Sequence, residues 1–479
     1  MTATMADATA EPPLVVDVDG TLIKTDLLHE KIMQFAAHNP LGLWRLPLWL
    51  AGGRHHLKCE LATRVPLDVA SIPLRDETMA RIRAAQVEGR AVYLASASEQ
   101  GVVQRLADNI GGISGVFGTD VNGNVAGHRK AEVLNTAFGA GQYDYIGDQS
   151  VDFAIWRSAR KVLAVSHSAG FSRRLSRDFP GAEILAQPRR PARAYLAALR
   201  PHQWTKNILV FLPLIAGHSF DFASIFTTLL AFVCFCLAAS SAYVINDLLD
   251  LPADRAHPRK RLRPFAAGDI SIGYGVLLGA MLMIAAVCVA LALPHRFLVT
   301  LGGYVVCTLA YSLVLKRQPL IDVMMLGCLY TLRVLGGIAA AETYYSPWLL
   351  MFSLFLFLSL AIVKRCSELI ARRHEVGSAT TGRGYIPDDL TVLMPLAAAA
   401  GYGAVLVVAL YLSSEKVRIL YTHPARMWLI CPLLLYWISR VLVLCNRDRL
   451  HDDPVIFALT DKVSWITGML AAAVIAVSM

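Results

Sequence analysis

The 479-residue chain is 55% hydrophobic and carries a formal net charge of +9. A mean hydropathy of +0.49 excludes an ordinary soluble protein of this length, which leaves room for two or three domains. Nine cysteines are present; all but Cys59 fall in apolar stretches and none has metal-ligand spacing, which argues against a disulfide framework and a zinc site.

Up to about residue 200, charged and apolar residues alternate as in a globular domain, and no signal-peptide pattern opens the chain. Residues 14–18 form a β-rich apolar run ending in Asp17, Val18, Asp19, Gly20 and Thr21. A strand followed by a glycine-permitted turn would present two carboxylates at its C-terminal tip, the edge where open α/β sheets bind ligands. Residues 26–84 are rich in helix formers and are expected to make a small helical cap. A second strand over 91–95 ends at Ser96, with Ser98 beyond it. Lys130 stands ahead of a helical stretch, and a third strand over 143–146 ends in Gly147 and Asp148, with Asp152 four residues on.

These four motifs, in this order, resemble the haloacid dehalogenase superfamily of phosphatases over residues 12–186. The resemblance implies an α/β Rossmann-like domain with Asp17 as a nucleophile that forms an aspartyl-phosphate. Asp19 would serve as general acid and then base. Ser96 and Lys130 would hold the phosphate, and Asp17 and Asp148 would hold Mg²⁺, with Asp152 supporting the metal site. The chemistry is consistent, since a carboxylate approaches a phosphate dianion only when cations neutralise the crowded charge.

Residues 187–206 join the two halves. They carry Pro188, Pro191, Arg189, Arg190, Arg193, Arg200 and Lys206 beside Tyr195, Leu196, Leu199 and Trp204. This is a basic amphipathic linker suited to an anionic membrane face, with a merely solvated linker as the plain alternative. Beyond it, residues 273–294, 346–363, 391–414 and 463–479 contain no Asp, Glu, Lys or Arg. Roughly 20 apolar residues cross a bilayer as a helix. About nine transmembrane helices are therefore expected, near 207–219, 223–246, 271–293, 296–315, 319–340, 346–366, 391–412, 425–445 and 462–479.

Basic residues recur in every second loop of that layout. They are Arg255, Arg259, Lys260, Arg261 and Arg263; then Lys316 and Arg317; then Lys364, Arg365, Arg372 and Arg373; then Arg440, Arg447 and Arg449. By the positive-inside rule these loops and the N-terminal domain lie on the cytoplasmic side of the inner membrane. The loop with Lys416, Arg418 and Arg426 fits less well. A multi-pass membrane enzyme is expected, with no nucleic-acid partner, and a homo-oligomer is left open.

The second expected span ends in Asn246 and Asp247, followed by Asp250 and Asp254. On a helix Asn246, Asp250 and Asp254 share one face, with Asp247 one turn from Asp250. Carboxylates crowded at a span end repel unless a cation sits among them, and hard oxygen ligands beside phosphate chemistry point to Mg²⁺. Pro252 should bend or restart the helix. Arg259, Lys260, Arg261 and Arg263 follow at once and read as an anion-holding wall, with an ordinary topology signal as the rival for some of them.

This string, the apparent spans and the basic loops resemble the UbiA prenyltransferase superfamily over residues 195–479, which implies an all-α membrane domain over 207–479. Residues 200–207, the stretch 257–268, and Asp322 followed by Arg333 look like decaprenyl-phosphate phosphoribosyltransferases. The aromatic-acceptor relatives usually carry a second aspartate four residues after the first of the second motif; here Leu326 stands four residues after Asp322.

The resemblance implies transfer of 5-phosphoribose from phosphoribosyl pyrophosphate to a polyprenyl phosphate. Asp247, Asp250 and Asp254 would bind Mg²⁺ and the pyrophosphate. Lys206, Asn207, Asn246 and the basic wall would contact the donor, and Lys316, Asp322, Arg333 and Lys364 would lie near the lipid head group. The fused phosphatase would then remove the 5′-phosphate. The alternative is an aromatic prenyltransferase using a polyprenyl diphosphate donor, with a phosphatase-like domain of unrelated or regulatory role.

Overall fold

The computed structural model describes residues 11–119, 125–166, 168–185, 192–343, 345–372, 384–415, 417, 421–450 and 454–478. Residues 187–191 of the linker, Arg373, Lys416 and Arg418 lie outside the described residues. The chain forms two compact units. One combines Met1–Leu199 with Tyr243–Gly279, and the other combines Arg200–Ala242 with Ala280–Met479.

The first unit is built on six strands: β1 (Leu14–Asp17), β2 (Val92–Glu99), β3 (Gly115–Thr119), β4 (Asp144–Gly147), β5 (Lys161–Val165) and β6 (Glu183–Leu185). Their order is β3-β2-β1-β4-β5-β6, and every pair is parallel. β1 sits at the centre, so Val15 and Val16 are both fully buried, one on each face. Val16 joins Leu94, Ile82 and Leu106, while Val15 joins Leu134, Tyr145, Trp156 and Leu175. Because the chain leaves β1 toward β2 on one side and reaches β4 on the other, the C-terminal ends of β1 and β4 flank a topological switch point.

Between β1 and β2 lies the cap, helical as expected: α1 (Leu27–His38), α2 (Arg45–Ala51) and α3 (Arg54–Arg64). Asp26 caps α1 by accepting from the backbone of Leu28 and His29. Phe35, Leu57, Leu61 and Val65 give the cap a small core of its own.

The same unit takes in the end of the long helix Phe222–Leu249, the short helix Leu251–Ala256 and the loop that follows. Arg255 in that short helix makes a two-pronged ion pair with Glu30 of α1, at 2.7 and 3.1 Å, and Glu30 is fully buried. Its third nitrogen donates to the Ala266 carbonyl. Gly268, at φ +74, has Lys24 Cβ only 2.6 Å from where its own Cβ would stand. Only glycine lets the loop backbone come this close.

The second unit is helical. Among the described residues, seven helices are long and apolar enough to cross a membrane: Phe222–Leu249, Ile272–Ala290, His295–Leu313, Ile321–Ala341, Pro347–Ala371, Pro387–Leu412 and Pro424–Asn446. Of the other two expected spans, Lys462–Ser478 is an apolar helix of 17 residues. Residues 207–219 belong to a 3-10 stretch, Pro201–Phe211, and the short helix Leu212–Ala216. The 3-10 stretch lies directly on Ile321–Ala341, because the Val210 carbonyl occupies the space a Cβ on Gly337 would need.

Candidate active sites

The parallel sheet brings the N-terminal motifs together at one edge. Asp17 ends β1, Ala95 pairs with it in β2, and Ser96 follows. Lys130 reaches in from the helix His128–Phe138 and donates to Asp17 Oδ1 at 2.6 Å, to the Ala95 carbonyl and to the Tyr145 hydroxyl, both at 3.2 Å. Tyr145 in turn donates to Asp152 Oδ1. Asp152 Oδ2 accepts the backbone N–H groups of Asp148 and Gln149, which fixes the turn after β4. Thr21 lies within hydrogen-bond distance of both Asp17 and Asp148, at 3.3 Å from each.

Asp17, Asp148 and Asp152 offer oxygens within 4.8 Å of one another, and all three are buried. Burial above all, with Asp152 and Asp148 alongside, pushes the Asp17 carboxyl well up despite Lys130. Burial and Asp148 also raise Asp152. The oxygen-only donor set of these buried carboxylates fits a hard divalent ion such as Mg²⁺. Gly20 completes the cradle: at φ +78 its missing Cβ leaves room for Asp148 Oδ2.

Asp19 faces a separate set of donors. Ser96 and Ser98 hydroxyls bind its Oδ2 at 3.0 and 2.9 Å, and the Leu27 N–H binds Oδ1 at 2.8 Å. Burial and neighbouring Asp26 push its pKa up to about 6. Ser96, expected to hold phosphate, hydrogen-bonds to the general-acid candidate. Lys58, which the sequence did not single out, arrives from α3 and donates to the Ala97 carbonyl at 2.6 Å. Tyr145 was equally hidden, since in a buried strand an aromatic residue reads as core.

In the first unit's second carboxylate group, the long helix stops at Leu249 and restarts at Leu251 with Pro252 in its first turn. Asn246 donates to Asp250 at 2.9 Å, as the i, i+4 spacing requires. Arg263 folds back onto the acids: one nitrogen lies 3.2 Å from Asp247 and 2.5 Å from Asp254. A guanidinium thus stands where the crowded carboxylates need a cation. Arg259, Lys260 and Arg261 are exposed. Asp247, Asp250 and Asp254 offer oxygen donors of the kind Mg²⁺ takes, but they are not drawn together as expected: among the described residues, the acids that bring ligand oxygens within 4.8 Å of one another are Asp17, Asp148 and Asp152.

The remaining expected residues lie in the second unit. Asp322 is fully buried. Arg365 binds its Oδ2 at 2.6 Å, and the Tyr385 hydroxyl and the Val323 N–H bind its Oδ1. This carboxylate is engaged in structure on both oxygens. Arg333 is buried as well; it donates to Asn207 at 2.8 Å, to the Leu329 carbonyl and to Tyr304. Among the described residues no carboxylate lies within ion-pair distance of it. Lys206 and Arg333 both face the Tyr330 ring, at 6.0 and 5.4 Å. Tyr330 lines a cavity with Lys206, Lys364, Leu326, Leu360, Ala361 and Pro454. Lys316 lies in the 3-10 turn Leu315–Arg317 and is half-buried.

Comparison with known proteins covers both halves. An uncharacterized protein, y4nM, of Sinorhizobium fredii is 37% identical over 475 residues, spanning 98% of this chain and 91% of that protein. The nodulation protein NoeC of Azorhizobium caulinodans is 35% identical over 280 residues, 58% of this chain and 90% of its own. A decaprenyl-phosphate phosphoribosyltransferase of Mycolicibacterium smegmatis is 35% identical over 219 residues, 44% of this chain and 69% of that one. The family model for UbiA prenyltransferases matches residues 208–476. Multiple apolar helices and this match together make the chain a multi-pass membrane protein, and it belongs to the UbiA prenyltransferase family.

Proposed function

We propose that the chain transfers 5-phosphoribose from phosphoribosyl pyrophosphate to a polyprenyl phosphate, and that its N-terminal domain then removes the 5′-phosphate. The observation that carries the acceptor half is Arg333. A guanidinium stays charged at any physiological pH, and a buried one with no carboxylate beside it calls for an anionic ligand. Lys206 and Lys364 at an apolar cavity suit a phosphate on a long hydrocarbon. The similarity to proteins named decaprenyl-phosphate phosphoribosyltransferase supports the same chemistry.

In this reading Asp247, Asp250 and Asp254 would hold Mg²⁺ for the donor's pyrophosphate, and Arg259, Lys260, Arg261 and Arg263 would take phosphate charge. When bound, the ion supplies charge neutralisation that makes pyrophosphate a better leaving group. Asn246 orients Asp250 and Asn207 orients Arg333. Lys316 and Lys364 receive the acceptor phosphate, which is already anionic and needs no strong base. Asp322 serves by holding Arg365 and Tyr385 in place.

For the second step, Asp17 attacks the 5′-phosphate and forms an aspartyl-phosphate while Asp19 protonates the leaving ribose oxygen. Asp19 then takes a proton from the water that hydrolyses the intermediate; a pKa of about 6 suits both duties. Lys130 steadies the nucleophile, and Asp17, Asp148 and Asp152 would hold Mg²⁺. The domain boundaries in this reading are 12–186 and 207–479, with 187–206 between, nine membrane passes and both sites on the cytoplasmic face.

The test is a proteoliposome assay with radiolabelled phosphoribosyl pyrophosphate and polyprenyl phosphate. Wild type should yield ribosyl lipid and inorganic phosphate, and Asp17→Asn should accumulate the lipid that still bears 5-phosphoribose. Turnover of a prenyl diphosphate with an aromatic acceptor, and none of the ribosyl donor, would overturn the reading.

A further inference from the structure

The cap carries an apolar surface that the two catalytic steps leave unexplained. One side of α2 is ordinary: Leu46 and Trp49 pack on Phe35, Leu57 and Leu61, with Trp49 edge-on to Phe35 at 5.3 Å. The other side, with the turn before it, is apolar too and faces outward. Leu41 is 88% exposed, Trp44 61% and Leu48 60%, and Leu43 and Leu50 are also exposed. A helix that is hydrophobic all round belongs in a core or a bilayer, and contiguous exposed apolar surface of this kind marks an interaction site.

The surrounding charge names the partner. Between Glu30 and Glu60 the sequence has no carboxylate, while Arg45 and Arg54 are exposed cations, with His55 and His56 exposed beside them; Lys31 is paired with Glu99 and Lys58 turns inward to the Ala97 carbonyl. The Arg45 guanidinium lies over the Trp44 ring at 5.5 Å. Tryptophan and leucine on one side with arginine beside them is the composition of a helix lying in an anionic lipid interface.

Reach points the same way. Glu30 of α1 is clamped to Arg255, six residues beyond the end of the apolar helix Phe222–Leu249 and in the same compact unit. From Glu30 to the turn at Pro40 is ten residues, about 15 Å as helix. The head-group zone that flanks a bilayer's hydrocarbon core begins at span ends, which puts this surface within reach of a leaflet.

We infer that residues 40–51 form an in-plane membrane anchor, with Leu41, Trp44 and Leu48 seated in the head-group region of an anionic leaflet. The cap then holds the phosphatase-like site beside the membrane surface, where a phosphomonoester carried on a lipid is presented to it. The substrate part of this inference rests on the proposed phosphatase activity; the lipid contact does not.

Two experiments on the full-length protein separate them. Photoreactive benzoylphenylalanine is placed at Leu41, Leu48, Val87 or Val306, and the protein is irradiated in nanodiscs of phosphatidylcholine and phosphatidylglycerol. Val87 is an exposed control outside the cap, and Val306 an exposed control on a membrane helix. Phospholipid adducts at Leu41 and Leu48, as at Val306 and not at Val87, are expected. Adducts at Val306 without adducts at Leu48, or cross-links from Leu48 to a second chain, overturn the anchor.

In the second experiment the variant Leu41→Ser/Leu48→Ser is compared with wild type. Its hydrolysis of vesicle-borne phosphatidic acid should fall several-fold, while hydrolysis of soluble para-nitrophenyl phosphate stays at the wild-type rate. Equal rates on both substrates for variant and wild type overturn the presentation role. If wild type hydrolyses neither, the phosphatase reading fails, and the adducts still decide the membrane contact.

Discussion

The two halves solve the same electrostatic problem in opposite ways. At the sheet edge, three buried carboxylates gather beside Lys130, an oxygen donor set that suits a cation. In the second unit, the buried Arg333 has no carboxylate at ion-pair distance among the described residues, while the buried Asp322 is fully matched by Arg365 and Tyr385. On the proposed reading, what separates a ligand-binding charge from a structural one is the identity of its neutralising partner. A motif string alone does not carry that information.

The largest test of this contrast is Asp17→Asn. It keeps the shape but removes the nucleophile, so phosphate release should fall by a factor on the order of 10⁴, with ribosyl transfer intact. Phosphate release within tenfold of wild type would mean that the carboxylate cluster is structural after all.

Next in size is Glu30→Gln, which strands the buried Arg255. Breaking a buried pair from one side costs about 3–5 kcal/mol, read as a lower melting temperature of the first unit. The double variant Glu30→Gln/Arg255→Met should recover much of that loss. If the single variant melts like wild type, the cap is not tied to the carboxylate loop.

A smaller effect is expected for Arg333→Met. Hydrogen bonds to charged groups contribute about 1.5–3 kcal/mol, which corresponds to about 10- to 150-fold in transfer at limiting polyprenyl phosphate. The loss should appear mainly in KM for the lipid. An unchanged KM would return Arg333 to the structural class.

The smallest concerns Asp144, buried and held by Arg90 and Arg160 below the ordinary carboxylate range against the pull of burial. Because Arg160 is partly exposed, Asp144→Asn should cost only about 1–2 kcal/mol. A lowered pKa gives stability that is present above the unfolded value and lost as pH falls through the folded one. Urea melts of wild type and variant should therefore differ at pH 7 and converge below about pH 4. A constant difference across that range would contradict the ion-pair origin.

Much of the first site was legible because strand ends fix it. Asp17, Ser96, Lys130, Asp148 and Asp152 each sit next to a strand or helix terminus that local composition reveals, and parallel pairing does the rest. The Asn246–Asp250 pairing was legible for a similar reason, helical spacing at the end of an apolar run, but spacing did not tell that Asp247, Asp250 and Asp254 stay further apart than the sheet-edge acids. Arg263 between Asp247 and Asp254 was not, since a basic loop says nothing about which cation folds back. Glu30 and Arg255 are 225 residues apart, and Asp322 and Arg365 are 43 apart, so no local period connects them. The α2 segment read simply as part of a helical cap; that one apolar side stays uncovered is a property of tertiary packing.

The absent side chain of Gly337 has a consequence well away from its own position. The Val210 carbonyl rests in the space a methyl group would fill, and Asn207, one turn earlier in the same 3-10 stretch, grips Arg333. The spacing between two backbones thus acts as a ruler for the guanidinium. Lengthening it by one carbon would shift the Arg333 nitrogen atoms without altering any residue proposed to touch substrate. On the proposed reading, variation at this glycine would be a quiet way to retune which head group is accepted.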